Sequence, residues 1–175
     1  MNLKKEGKCS EEQYYKALEY ATLKHEGQFR IGGKPYITHP IGVAEIVRKK
    51  GYDRVYQITA LFHDLLEDTD ATEEEILKYG NEQVLEAVQL LTKPKNYVMK
   101  EYVEGVRSND IAFVVKAADR LHNLLSAVET NENFKRKYIL ETIEWYFDFD
   151  PEIVEATKHL AETMDHPVDE QVYKL

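Results

Sequence analysis

The chain has 175 residues, and Lys+Arg 23 against Asp+Glu 32 leave a formal net charge of −9, which excludes a general grip on DNA or RNA phosphates, since that affinity is built from Lys and Arg. Its longest apolar runs, such as Ile111 to Val115, fall far short of the roughly 18–20 residues of a membrane span, and the polar start from Met1 to Tyr15 lacks the apolar core of a secretory signal. Cys9 is the only cysteine, so an internal disulfide and a Cys-based zinc cage are excluded and a reducing compartment, the cytoplasm, is expected.

In chain order, Ser10 followed by Glu11 and Glu12 opens a helix, and Tyr14, Leu18 and Ala21 give it an apolar face as far as Glu26, before Gly27. The segment 29–39, with Gly32, Gly33 and Pro35, reads as a loop. Pro40 is placed as the first residue of a second helix that ends at Gly51, and it pushes His39 into extended geometry. Asp53 or a neighbour caps a third helix running through Ile58, Leu61, Phe62, Leu65 and Leu66. Asp70 and Thr72 open a short acidic helix from Glu73 to Tyr79. Further helices are expected around Val84–Leu91, Tyr97–Val106, Ile111–Val128 and Phe134–Phe149, with a last one opened by Asp150 and Pro151. No segment alternates with period two. The expectation is an all-α bundle of about eight to ten helices forming one domain, with the chemistry-bearing part at about 10–130 and C-terminal helices at about 134–170.

Two places put polar groups where apolar ones belong, and a third holds a histidine in a fixed position. The first is Ala60-Leu-Phe-His-Asp-Leu-Leu-Glu-Asp-Thr69, where a continuous helix would set Glu67 one turn after His63 and Asp68 one turn after Asp64. Carboxylates gathered around a half-buried imidazole call for a neutralising cation, and a divalent metal supplies it. The same ten residues also read as a solvated acidic helix end with one satisfied core histidine. The second place is Val114 to Asn123, where Asp119 and Asn123 lie one turn apart among Val115, Ala118 and Leu121. The third is His39, between Pro35 and Pro40.

Two His and two Asp form a mixed N/O ligand set suited to Mn²⁺, Fe²⁺, Co²⁺ or Zn²⁺, with coordination positions open to water and substrate. Glu67 or Asp68 beside it could orient that water or move its proton, which makes phosphate-ester hydrolysis the natural reaction class. Lys24, Arg30, Lys34, Lys116 and Arg120 are the cations expected around such a centre. Each also reads as an ordinary surface charge, Arg30 least so, because a guanidinium can stack on a base or clamp a phosphate. His25 can be a plain helix-end group, and His122, His159 and His166 are set down as structural or surface residues.

Together these segments resemble the HD-domain metal phosphohydrolases, and among them the hydrolase domain of the RelA/SpoT alarmone enzymes. The resemblance lies in His25-Glu-Gly-Gln-Phe-Arg30, Pro35-Tyr-Ile-Thr-His-Pro40, the run from Ala60 to Thr69 with Thr72 to Ile76, and Lys116-Ala-Ala-Asp-Arg-Leu-His-Asn123, in the same order over about a hundred residues. It implies a helical HD fold in which His39, His63, Asp64 and Asp119 bind one Mn²⁺ and Glu67 and Asp68 serve water activation. Arg30 corresponds to the arginine that packs on the guanine base, and Asn123 to the asparagine near the nucleoside. The implied reaction removes pyrophosphate from the 3′ position of ppGpp or pppGpp to give GDP or GTP. Synthetase and regulatory domains of the bifunctional members have no room in 175 residues, so a small stand-alone hydrolase is implied.

One departure bears on the substrate. Family members commonly follow the arginine with a lysine and a small polar residue, whereas Arg30-Ile-Gly-Gly-Lys34 stands here; Ile31 cannot donate to a phosphate, and Lys34 is the nearest cation that could. An adenine alarmone or the 2′-phosphate of NADPH is therefore the second substrate reading. A sensor that binds metal or nucleotide without hydrolysis is the third, although it would have no need of Glu67 and Asp68.

Overall fold

Residues 9–165 are described in a computed structural model of the chain; His166, read above as a surface residue, and the end of the last expected helix lie outside them. The elements are α1 (Glu11–Lys24), α2 (Thr38–Lys49), α3 (Arg54–Phe62), α4 (Leu65–Asp68), α5 (Glu73–Tyr79), α6 (Glu82–Leu91), α7 (Met99–Arg107), α8 (Asp110–Ser126), a single 3₁₀ turn (Ala127–Glu129), α9 (Glu132–Trp145) and α10 (Pro151–Glu162). No strand occurs among the described residues, and the one isolated bridge joins Phe29 to Pro35 across the 30–34 turn. The all-α class expected from periodicity is what the chain adopts.

Local chemistry explains most of the boundaries. Ser10, Asp53, Asn81, Asn109, Asn131 and Asp150 each accept a backbone N–H of the first turn they precede, satisfying donors that have no partner inside the helix. Thr72 and Glu75 form a reciprocal capping box on α5. Gly51 ends α2 with φ +85°, a conformation that other residues adopt only at an energetic penalty.

The long helix α8 runs through the middle, contacting α2, α3, α6, α7 and α10, while α2 lies along α3. Its buried face, from Ile111 and Ala112 through Val115, Ala118, Leu121 and Leu124, meets Val43, Val47, Ile58, Leu61 and Phe62. Each fully buried aliphatic or aromatic side chain stabilises such a core by about 1.5–3 kcal/mol. Tyr146 and Phe149 belong to this core, with Phe149 stacked on Phe113 at 4.6 Å between ring centres.

Two expectations about the backbone are corrected. His39 is not extended but sits inside the first turn of α2, with Pro40 behind it. A first-turn N–H has no intrahelical acceptor, so proline is tolerated there, and the turn is nucleated by Thr38, whose N–H and hydroxyl both donate to the Pro35 carbonyl. The third expected helix is broken. It ends at Phe62, and His63 and Asp64 form a turn before α4, because the His63 ring bonds the Ala60 carbonyl at 2.7 Å and takes over an acceptor at the helix end.

Candidate metal centre

The turn after α3, the first turn of α2 and the middle of α8 bring His63, His39 and Asp119 to one point. All three are buried, and one ligand atom from each lies within 4.8 Å of the others. His39 Nε2 is 3.1 Å from Asp119 Oδ1 and 3.2 Å from His63 Nε2, and His63 Nε2 is 3.6 Å from the same carboxylate oxygen. Asp64 completes the group, its Oδ2 standing 3.0 Å from His63 Nε2 and 3.7 Å from His39 Nε2. With a cation about 2.1 Å from each donor, neighbouring ligand atoms lie roughly 3.0 Å apart in an octahedron and roughly 3.4 Å apart in a tetrahedron. Three of the five spacings, 3.0 to 3.2 Å, lie in that range and the other two, 3.6 and 3.7 Å, are a few tenths of an ångström longer, so these residues fit a divalent metal after a small inward shift.

The surroundings fix the ligands. His63 bonds the Ala60 carbonyl through Nδ1, which leaves Nε2 for the cluster. Asp119 Oδ2 takes a 2.9 Å bond from the buried Lys116 ammonium, and its Oδ1 takes one of 2.7 Å from the Asn123 amide. The Tyr36 hydroxyl is 2.7 Å from Asp64 Oδ2 and 3.2 Å from Asp68 Oδ2. Burial works against the charge of His63, yet the Asp64 and Asp119 carboxylates prevail and push its pKa up to about 10. Burial opposes the charge of Asp119 as well, but Lys116 and the two imidazoles hold its carboxyl well below the usual range. Asp68 is shifted upward, first by burial and then by the Asp64 charge.

The other expected site residues divide. Asp68 reaches the cluster through Tyr36. Glu67 instead accepts the backbone N–H of Lys93 at 3.0 Å, tying down the segment after α6. Arg30 donates to Asn123 Oδ1 at 2.7 Å, so a chain of hydrogen bonds runs from Arg30 through Asn123 to Asp119. Lys34 is exposed, its carbonyl closing the turn with the Arg30 N–H at 2.8 Å. Of the remaining cations only Lys116 joins the centre. Lys24 pairs with Asp70 and Glu75, and Arg120 turns from the cluster to Glu141 at 2.6 Å, between the rings of Tyr138 and Tyr146.

A cavity of about 850 Å³ opens beside the cluster, with Arg30, Ile31, Lys34 and Tyr36 on one wall and His122, Asn123, Val128 and Phe134 on the other. That volume suits a nucleotide-sized ligand. Ile31 stands 72% exposed at its rim, on a turn in which Gly32 and Gly33 both have positive φ.

Two members of the site were not expected. In the sequence Tyr36 reads only as part of a motif, and His122 as a structural or surface residue. His122 Nδ1 lies 2.9 Å from His39 Nδ1, and burial first, then His39 and Arg30, push its pKa down to about 4, so it stands neutral. Its position three residues after Asp119 on one helix was the available signal. His25 is buried at the end of α1, its ring against Tyr36 at 4.7 Å, whereas His159 is on the surface. Among the described residues no helix is long and apolar enough to cross a membrane.

A family model described as HD domain matches residues 17–149. A guanosine-3′,5′-bis(diphosphate) 3′-pyrophosphohydrolase of Haemophilus influenzae is 38% identical over 133 residues, which is 70% of this chain and 20% of that protein. The protein of the same name from Aquifex aeolicus is 37% identical over 143 residues, 77% of this chain and 20% of the relative, and a GTP pyrophosphokinase of Myxococcus xanthus is 32% identical over 145 residues, 75% and 19%. The chain thus spans about a fifth of the length of these curated relatives. Among solved structures, a metazoan ortholog of SpoT described as hydrolysing ppGpp superposes with a TM-score of 0.72 at 22% identity, covering 89% of this chain and 97% of its own, a likeness of fold.

Proposed function

We propose, for a chain that belongs to the HD-domain family, a metal-dependent hydrolysis of the 3′-pyrophosphate of ppGpp or pppGpp, with water adding to phosphorus, the 3′ C–O–P link breaking at phosphorus, and GDP or GTP and pyrophosphate leaving. The observation that carries this reading is the convergence of His39, His63, Asp64 and Asp119 beside a cavity walled by Arg30 and Asn123. These four side chains would hold one divalent cation, for which we propose Mn²⁺. When bound, such an ion supplies a lowered pKa to a water molecule and neutralises charge on phosphoryl oxygens.

The protein's own groups do the rest. Lys116 neutralises Asp119 from behind and Tyr36 holds Asp64 in place. Asp68, its pKa raised and its carboxylate 3.2 Å from the Tyr36 hydroxyl, is the group placed to take and return a proton. For Glu67, which is anchored through one oxygen on the Lys93 N–H, the proposed role is to orient the attacking water. The Arg30 guanidinium, fixed by Asn123, offers a flat cationic face to a base, and Lys34 at the rim is available to a phosphate.

The test is release of pyrophosphate from ppGpp by purified protein, with ppApp and NADPH in parallel, each with Mn²⁺ and again with chelator. Chelator-sensitive release that is fastest on ppGpp is expected, and Asp64→Ala is expected to abolish it while the far-ultraviolet circular dichroism stays helical. Full activity in Asp64→Ala overturns the metal assignment. Faster metal-dependent turnover of ppApp or NADPH moves the substrate, and the apolar Ile31 at the rim is the observation that favours such a shift. Tight nucleotide binding with no product over hours would make the protein a sensor.

A further inference from the structure

His122 belongs to two structures at once. Its ring lines the cavity, and its Nδ1 stands 2.9 Å from Nδ1 of His39. A bond between two imidazole nitrogens holds one proton, with one ring donating and the other accepting. The opposite nitrogen of His39 faces Asp119 Oδ1, His63 Nε2 and Asp64 Oδ2 at 3.1, 3.2 and 3.7 Å. For that nitrogen to offer its lone pair to a cation, the His39 proton must sit on Nδ1, where His122 Nδ1 accepts it. His122 then carries its own proton on Nε2.

The His122 ring is itself held by an unusual neighbour. Gly42, in the middle of α2, has ordinary helical geometry, so it is not there for backbone freedom. A Cβ built on it would overlap His122 Nε2 and Cδ2 far inside van der Waals contact. The glycine is a slot in α2 that lets the α8 imidazole reach His39.

We propose that His122 is a positioning residue of the metal centre, fixing the tautomer and ring orientation of His39, and that Gly42 is the slot that seats it. The proposal rests on the reading of His39, His63, Asp64 and Asp119 as a metal site. Groups that orient a ligating histidine typically account for a 10–100-fold difference in metal affinity.

Mn²⁺ affinity of the stripped protein is measured by competition with a fluorescent chelator for the unaltered chain and for His122→Phe, His122→Asn, Gly42→Ala and Asp119→Ala. His122→Phe is expected to bind about 10–100-fold more weakly. Asn can present an acceptor oxygen close to the place of Nδ1, so His122→Asn is expected to recover most of that loss, whereas Gly42→Ala should follow the Phe variant. In protein loaded with diamagnetic Zn²⁺, nitrogen-15 correlations of the imidazoles are expected to show His39 protonated on Nδ1 and His122 on Nε2, a readout that needs no variant to fold. If Asp119→Ala loses affinity while His122→Phe does not, or if Nδ1 of zinc-loaded His39 carries no proton, the inference fails and the metal site stands. If Asp119→Ala binds as tightly as the unaltered chain, both fail together.

Discussion

Tyr36→Phe removes a single oxygen and isolates what that oxygen does. The ring would remain against His25 at 4.7 Å, near His39 at 6.0 Å and under the Arg30 guanidinium at 5.9 Å, so the cavity wall is kept. What disappears is the 2.7 Å bond to Asp64 and the 3.2 Å contact with Asp68. Groups that hold a metal ligand in place typically account for a 10–100-fold difference in metal affinity. Mn²⁺ affinity should therefore fall by about tenfold or more. A second consequence follows for Asp68, whose pKa is raised by burial and by the Asp64 charge and held back by the Tyr36 hydroxyl. Without the hydroxyl its pKa rises further, and the acid limb of kcat/KM, which reports groups of the free enzyme, moves to higher pH. The assays are chelator competition and pyrophosphate release across pH. Unchanged Mn²⁺ affinity together with an unmoved acid limb would refute the role given to Tyr36.

Two further outcomes are expected. In the metal-free protein the pKa of His63 lies near 10 against an ordinary 6.5, so the stability it contributes is fully present below about 6.5 and lost as pH rises toward 10. Metal needs the same lone pair, so apparent Mn²⁺ affinity should climb between pH 7 and 9 by up to about tenfold per unit; a flat profile in chelator competition would show that no proton is displaced. Arg120 is 3% exposed and bonded to Glu141, which is 32% exposed. Glu141→Ala strands a buried guanidinium and should lower urea stability by about 3 kcal/mol, whereas Arg120→Met leaves a carboxylate that water can reach and should lower it less. Equal losses would contradict that asymmetry.

Much of this was legible in the sequence because it is local. Asp53, Thr72, Asp150 and Pro151 mark helix starts by the hydrogen bonds or fixed φ that each residue supplies at its own position, and α5 begins and ends where its capping signals stand. The apolar residues Val115, Ala118 and Leu121 around Asp119 are indeed buried on α8. The break after Phe62 was not legible, since it is made by the His63 side chain bonding Ala60 rather than by any glycine or proline. The helical place of His39 was missed for a related reason, Pro35 and Thr38 together outweighing the extended bias that Pro40 imposes on its neighbour. At the site, polar residues inside apolar runs pointed to His63, Asp64 and Asp119, because a buried charge needs a partner wherever it lies in the chain, and His39 stood out by its flanking prolines. Which partner it has is local in one case and long-range in another. Lys116 and Asp119 stand three apart on α8, a spacing that lets them pair, whereas sending Arg120 to Glu141 depends on α9, whose sequence carries no sign of it.

The cavity and the cluster share a wall, and that makes them thermodynamically one object. Asn123 bonds Asp119 on one side and Arg30 on the other, and the His122 ring faces the cavity while it bonds His39. Whatever factor an occupant of the cavity gains from an ion already in the cluster, the ion gains the same factor from that occupant. A nucleotide titration without added metal and a metal titration without nucleotide would each report the weaker half of a closed cycle, and the two coupling factors, measured independently, must agree.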